Sequence, residues 1–488
     1  MKWEIVIGLE THIRLLTNSK LFSDSSNHMG SIPNKNINAV DVALPGTLPI
    51  LNEKAVEYAI IFGLATNSKI SNKTMFARKN YFYPDLPKGY QISQLDMPIT
   101  SGGKIFYKNN EIEKNINITR AHLEEDAGKS IHGELMLSNG NPSTGIDLNR
   151  AGSTLLEIVT EPELRSVEDT VAYAKTLHHL VKWLGICDGN MQDGSFRCDI
   201  NISVRKYGDQ KLGTRTEIKN LNSFKFMEQA IKFECNRQIN ILENGGIITQ
   251  ETRLYDPIKN ITVCMRNKEN SHGYRYFNDP DILPLNISDD FIKKIKNKIP
   301  ELPQICCKRF QNICEISLTD AKKLTANREI ANYFDKTINL LNSKSLYKIA
   351  ANLILGDITY FSNKESKDVF FSKISHINLA NIVKRIGDNT ISYKIAKEII
   401  EGIWNNKFIG EIDEIIFTNG LKQIDDMIEF EKIIDDIIQN NDDIVKEFLS
   451  GKEKALNSLV GKIMKITKGK INPQKVLSFI KEKIYKKY

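Results

Sequence analysis

Apolar and polar positions alternate with period two through much of the first half of the chain. In WEIVIGLETHIR (3–14), Ile5, Ile7, Leu9 and Ile13 fall on one face and Glu4, Glu10, His12 and Arg14 on the other. SFRCDINISVR (195–205) sets Phe196, Cys198, Ile200, Ile202 and Val204 against Arg197, Asp199, Asn201, Ser203 and Arg205. In GTRTEIKN (213–220), Arg215, Glu217 and Lys219 line up in the same way. Strict alternation predicts half-buried strands, and an antiparallel sheet keeps one face on its core and the other in water. The polar face here is dense in Arg, Asp, Asn, Glu and His, which suits a floor for a charged substrate. The bland alternative is a solubilising surface.

Helical periodicity, with apolar residues at i, i+3 and i+4, covers Glu53–Thr66 and Glu168–Leu184 in the same half. Near residue 295 the texture changes: strand patterns give way to helical ones and glycines become sparse. Helices are predicted over Asp320–Leu341, Leu346–Leu355, Ser392–Trp404 and Ile424–Gln439, and over 450–469, which stops at Gly469 before Pro473. The loop 279–290, broken by Pro280 and Pro284, and the segment 404–411 read as boundaries. The expected division is 1–292, 293–406 and 407–488.

The chain has 488 residues, 41% hydrophobic and 26% charged, enough apolar material for several cores. No stretch approaches the roughly 20 apolar residues of a membrane-spanning helix, and the first residues lack a signal-peptide core. The expectation is a bacterial cytoplasmic protein, or an organelle-matrix one after processing, with no membrane partner. The seven cysteines form no C-x-x-C pair, which argues against a disulfide scaffold. Residues 451–488 hold eleven lysines and two acids, a net +9, and 411–450 hold twelve acids and three lysines, a net −9. A basic end of this kind suits phosphate-backbone contact, and a solvated helix face explains it equally well.

Several familiar sites are missing. The string AGKS (127–130) lacks the first glycine of a phosphate-binding loop, since Leu123 stands there. There is no G-x-G-x-x-G after a strand, no H-E-x-x-H and no G-x-S-x-G, so the chain is not expected to release ammonia or hydrolyse esters alone. What remains is carboxylate and imidazole clustering. Glu10 and His12 share a strand face; HLEEDAGKS brings His122, Glu124, Glu125, Asp126 and Lys129; NRAGSTLLEIVTEPE brings Arg150, Glu157, Glu161 and Glu163. Hard oxygen ligands suit Mg²⁺ held with a nucleotide phosphate, and phosphoryl transfer needs mainly positioning and charge neutralisation. Such glutamates also occur as plain surface. ARKNYFYPDLPKGYQISQ (77–94) interleaves tyrosines with Arg78, Lys79 and Lys88, a composition for stacking on bases or for a rigid proline-anchored loop.

Together these segments resemble one family closely, the GatB family, whose members are the B component of aspartyl/glutamyl-tRNA amidotransferase. The resemblance rests on WEIVIGLETHIRLLTNSKLF, ALPGTLPILNEKAVEYAI, KNYFYPDLPKGYQISQ, HLEEDAGKS, DLNRAGSTLLEIVTEPELRS, GSFRCDINISVR, GTRTEIKNLNSFKFMEQAI, YRYFNDPD, DNTISYKIAKEI and GKEKALNSLVGKIMKITKGKINPQ, and runs from Trp3 to about Tyr485. It implies an α+β fold: an N-terminal cradle domain on an antiparallel sheet, a helical domain, and a small all-α tail that docks on tRNA. It implies an ATP- and Mg²⁺-dependent ligase. This would phosphorylate the side-chain carboxylate of Glu-tRNA(Gln) or Asp-tRNA(Asn), then amidate it with ammonia. The ammonia would come from a glutaminase (amidase) subunit, in a heterotrimer completed by a small linker subunit.

Carried over residue by residue, the resemblance makes Glu10, His12, Glu125, Lys88 and Tyr81 catalytic, with Tyr81, Lys88 and Glu125 where ammonia enters. It makes His12, Glu125 and Glu157 Mg²⁺ ligands. It makes Arg150, Asp193, Arg197, Asp199 and Lys219 nucleotide or aminoacyl-end contacts, and assigns Lys462, Lys465, Lys468 and Lys470 to tRNA. Many members carry four cysteines near the N-terminus that resemble a zinc site; here those positions are Ser23, Ser25, Asn38 and Asp41, so no structural zinc is expected. The competing readings are a tRNA-binding adaptor without chemistry and a free-standing ATP-dependent ligase for small carboxylic acids. The related archaeal-type protein has an inserted domain for which this chain has no counterpart.

Overall fold

The computed structural model describes residues 2–136, 142–267, 271–365, 373–422, 427–450, 452, 454–466 and 473–487. These fall into two compact units, Met1–Leu302 and Pro303–Tyr488. The fold is α+β, with the helices of the second unit following a first unit built on a sheet.

The alternating segments form the middle of that sheet. The strand Trp3–Arg14 pairs antiparallel with Phe196–Lys206 on one side, from Trp3 opposite Lys206 to Ile13 opposite Phe196. On the other side it pairs with Thr154–Thr160. Beyond these lie Ile112–Glu125 on one flank, and Thr216–Lys219, Glu251–Asp256 and Ile261–Asn267 on the other. The expected sheet is antiparallel, as the pairings of the central strands are. The observed one is mixed, because Thr216–Lys219 and Glu251–Asp256 run parallel. The helix Phe224–Glu243 lies between them in sequence and supplies the crossover that a parallel pair needs.

Ile7, Leu9, Ile13, Ile158, Leu123, Ile200 and Ile202 are all buried in the core beneath the sheet. The helices Glu53–Ala65, Val167–Trp183 and Phe224–Glu243 contribute their apolar faces to the same core. Each starts at a polar cap: the side chains of Asn52, Ser166 and Ser223 accept from backbone N–H groups of the first turn. The opposite sheet face carries Glu10, His12, Glu157, His122 and Asp199.

Every regular element among the described residues of the second unit is a helix. The periodicity over Asp320–Leu341 predicts one helix, and the chain makes two, Leu318–Leu324 and Arg328–Ile338. Asn327 interrupts them: its side chain caps the second helix by accepting from Glu329 N at 2.7 Å. The helix Lys344–Leu353 runs on as a π turn over Ile354–Ile358. Tyr393–Trp404, Met427–Gln439 and Ala455–Ile466 fall within segments read as helical. Gly469 lies outside the described residues. Ile434, Ile438, Leu459, Ile463, Val476, Ile480 and Ile484 form a buried cluster of their own.

The loop that carries Ser23, Ser25, Asn38 and Asp41 closes around a lysine. Lys20 is fully buried, and its ammonium lies 3.1 Å from Asp41. Burial lowers its pKa, against the pull of Asp41. Ser23 Oγ donates to Asp41 at 2.9 Å, Asn38 N donates to Asp41 at 3.1 Å, and the Ser25 carbonyl accepts from Lys20 N. Gly152 completes the enclosure with φ +80°, and a Cβ there would come within 2.8 Å of the Asp41 carboxylate. Removing one partner of such a pair strands the other charge, whereas replacing both with apolar groups is close to neutral. Lys20→Met is expected to cost about 3–5 kcal/mol of first-unit stability in denaturant unfolding, and Lys20→Met/Asp41→Leu to recover most of that loss. A double variant as unstable as the single one would refute this account of the loop.

Candidate active site

Register assembles the floor of the cradle. His12 lies directly across from Glu157 on one neighbouring strand and from Arg197 on the other, and Glu157 lies across from His122. The His12 Nε2 atom is 3.1 Å from Glu124 Oε1 and 3.3 Å from Glu157 Oε2, and His122 Nε2 is 3.3 Å from Glu157 Oε2. One ligand atom from each of His12, Glu124 and Glu157 lies within 4.8 Å of the others.

The electrostatics follow from crowding these groups where water is scarce. Burial works against a charged His12, but Glu157 and Glu124 outweigh it and push the imidazole up to about 10. Burial also works against an ionised Glu157, and His122 and His12 nonetheless hold its carboxyl well below the usual range. Glu124 is lowered in spite of burial and of Glu157, mainly through its hydrogen bond with His12. Lys79 is raised, since Glu124, Tyr276, Glu157 and Tyr81 overcome its desolvation. Its ammonium sits 5.1 Å over the Tyr274 ring, beside which Tyr81 and Tyr276 pack edge-on. Once an arriving cation displaces the His12 proton, two carboxylates and a neutral imidazole, faced by a lysine, form a donor set that fits Mg²⁺ or Mn²⁺.

Glu125 takes another direction. Neighbours in an extended strand point to opposite faces. Its carboxylate accepts from Lys88 Nζ and from Ile92 N at 2.8 Å. Gln91 links this pair to Tyr81: its amide donates to the Glu125 carbonyl and accepts from the Tyr81 hydroxyl at 3.1 Å. Tyr81, Lys88 and Glu125 are therefore brought together through Gln91. The cluster of His12 and Glu157, however, takes Glu124 as its third member in place of Glu125.

The remaining candidates separate into groups. Arg197 and Arg150 share Asp126, at 2.7 and 3.5 Å, and Arg150 also donates to the carbonyls of Ala127 and Gly128. Against the penalty of burial, these two arginines hold the Asp126 carboxyl below its ordinary value. Lys219 pairs with Asp199 and lies 3.4 Å from Glu217. Glu10, directly across from Asp199, accepts from Asn201 Nδ2 at 2.8 Å. Asp193 is exposed in the loop before Phe196–Lys206 and is bonded to Asn190. Lys462 and Lys465 are exposed on Ala455–Ile466, whereas Lys468 and Lys470 lie outside the described residues.

The residue-by-residue assignment left out Lys79, Glu124 and His122, although Glu124 and His122 stood in the carboxylate and imidazole clustering read as suited to Mg²⁺. Parity was the available signal for the last two: residues 122 and 124 share a face, and residue 125 does not. Lys79 had no such signal, because the pairing of Ala77–Asn80 with Phe277–Asn278 places it beside Tyr274 and Tyr276.

Residues 5–293 match the model of the GatB/GatE catalytic domain, and residues 332–484 match that of the GatB domain. The chain is 53% identical over 484 residues to the B component of the aspartyl/glutamyl-tRNA(Asn/Gln) amidotransferase of Bordetella parapertussis, covering 99% of this chain and 100% of that one. The protein of the same name in Methylobacillus flagellatus is 52% identical with the same coverage. That of Burkholderia lata is 52% identical over 493 residues, 99% of each chain.

The geometry separates two adjacent glutamates. In Mn²⁺ titrations of the full chain, Glu124→Gln and Glu157→Gln are each expected to weaken binding by at least about tenfold. Glu125→Gln is expected to leave the affinity within about threefold, because Lys88 holds that carboxylate. The reverse ranking would make Glu125 the ligand.

Proposed function

Because the chain belongs to the GatB family, we propose that it is the catalytic subunit of a tRNA-dependent amidotransferase, acting on glutamate or aspartate esterified to tRNA. The chemistry explains why such a site needs a phosphoryl donor. An ionised carboxylate is a poor acyl donor, since an oxide would have to leave. When the side-chain oxygen of the substrate attacks the γ-phosphorus of ATP, ADP departs and an acyl phosphate remains. Ammonia then attacks the acyl carbon, phosphate leaves with the C–O bond, and a proton is shed to give the amide.

His12, Glu124 and Glu157 would hold Mg²⁺, which when bound supplies charge neutralisation for the phosphates. Lys79 offers a second cation to the same face, held charged by Glu124 and Glu157. Arg197 and Arg150, anchored on Asp126, offer donors to nucleotide or substrate phosphate. The Tyr81–Gln91–Glu125–Lys88 chain would line the mouth through which ammonia enters from an amidase partner, with a small linker protein completing the assembly. Lys462 and Lys465, with Lys468 and Lys470, would contact the tRNA backbone. The observation that carries this reading is the His12–Glu124–Glu157 cluster, within 4.8 Å on the floor of the cradle.

The test supplies the assembled complex with ATP, Mg²⁺ and ammonium, and omits glutamine. Glu-tRNA(Gln) or Asp-tRNA(Asn), but not uncharged tRNA, is expected to release ADP and yield the amidated product. Glu157→Gln should slow this by about 10²-fold or more while tRNA affinity stays within about twofold. Tight tRNA binding with no ADP release from either substrate would leave the adaptor reading standing instead.

A further inference from the structure

One row along the sheet from the His12–Glu124–Glu157 cluster lies a set of acceptors facing the cradle. Glu10 and Asn201 stand on adjacent strands, and Asn201 donates its amide N–H to the Glu10 carboxylate at 2.8 Å. That bond fixes which way the Asn201 amide points. Its other end, Oδ1, is buried and accepts from no donor among the described residues, although the side chain belongs to a residue only 9% exposed. Gly8, directly across from Asn201, brings no side chain to this face. Asp199, directly across from Glu10, is already held by Lys219.

A buried amide oxygen without a donor is costly, and here it belongs to the side chain whose Nδ2 holds the Glu10 carboxylate. Together they ask for a ligand rich in donors and poor in acceptors. An ammonium, which has three donors and no acceptor, is that ligand. On the function proposed above, on which this inference rests, the substrate carries such a group: the free α-amino group of the esterified amino acid. The spacing agrees. Glu10 and His12 are two residues apart on one strand, about 6.8 Å. The α-nitrogen of glutamate lies four bonds from its side-chain carboxyl carbon, roughly 5 Å at about 1.5 Å per bond, and that of aspartate three bonds. We propose that Glu10 and Asn201 form the pocket that binds the substrate's free α-amino group, so that the enzyme reads an unblocked aminoacyl ester and aligns its side-chain carboxylate with the His12–Glu124–Glu157 cluster.

The experiment compares Glu-tRNA(Gln) with its α-hydroxy analogue, a tRNA carrying 2-hydroxyglutarate, which keeps the size and loses the ammonium. The assembled complex receives ATP, Mg²⁺ and ammonium, and kcat/KM is read for both. Turnover of the free-amine substrate checks the underlying function, and the ratio between the substrates tests the pocket. Wild type is expected to favour the amine by about 10²-fold or more, and Asn201→Leu to shrink that preference to about tenfold or less, chiefly by losing activity on the amine. Should Asn201→Leu fail to fold, Asn201→Ala takes its place. A wild-type preference below about threefold, or one that survives loss of the Asn201 amide, overturns the proposal. So does a second Mn²⁺ bound per chain and lost in the Asn201 variants, which would give the pocket to a metal ion.

Discussion

A slip of one residue in the strand Trp3–Arg14 would turn Glu10 and His12 into the apolar core and set Leu9 and Ile13 on the cradle floor. The molecule's first unit depends on that register. The strand is paired on both sides, and its neighbours Thr154–Thr160 and Phe196–Lys206 supply Glu157, Arg197, Asp199 and Asn201 at fixed heights. A single alternation thus decides both what is buried beneath the sheet and what is presented above it. The charged face resists collapse because its groups answer one another: His12 and His122 against Glu157, Arg197 against Asp126, Lys219 against Asp199. For His12, Glu157, Asp126, Arg197 and Lys219 the penalty of desolvation is offset by these neighbours.

This explains why some of the site could be read from the sequence. Period two placed Glu10 with His12, and Arg197 with Asp199 and Asn201, before any tertiary contact was known. The long motifs that mark the family carried the chemistry. What period two leaves undecided is which of two consecutive glutamates at a strand end turns inward to the cluster. Glu124 and Glu125 are both buried, and only the distant Lys88 and the Ile92 amide show that Glu125 is already engaged. The roles of Lys79 and Asn201 escaped for the same reason. Their environments come from residues more than a hundred positions away, Tyr274 for one and Glu10 for the other.

The helical half shows the complementary limit. Apolar spacing alone joined 320–341 into one helix, because the pattern continues across the break. Asn327 capping a new helix start was the signal that spacing ignores. The parallel pairing of Thr216–Lys219 with Glu251–Asp256 was likewise invisible to alternation, which reads the faces of a strand and not its direction.

The closure of the loop around Lys20 bears on where such a protein can be made. Ion pairing between an amine and a carboxylate draws on nothing outside the polypeptide. A loop closed by thiolates around a metal competes for that metal with every other protein in the cell, and opens when oxidants reach its sulfurs. The Lys20–Asp41 pair contains no sulfur, so this contact offers oxidants nothing to attack.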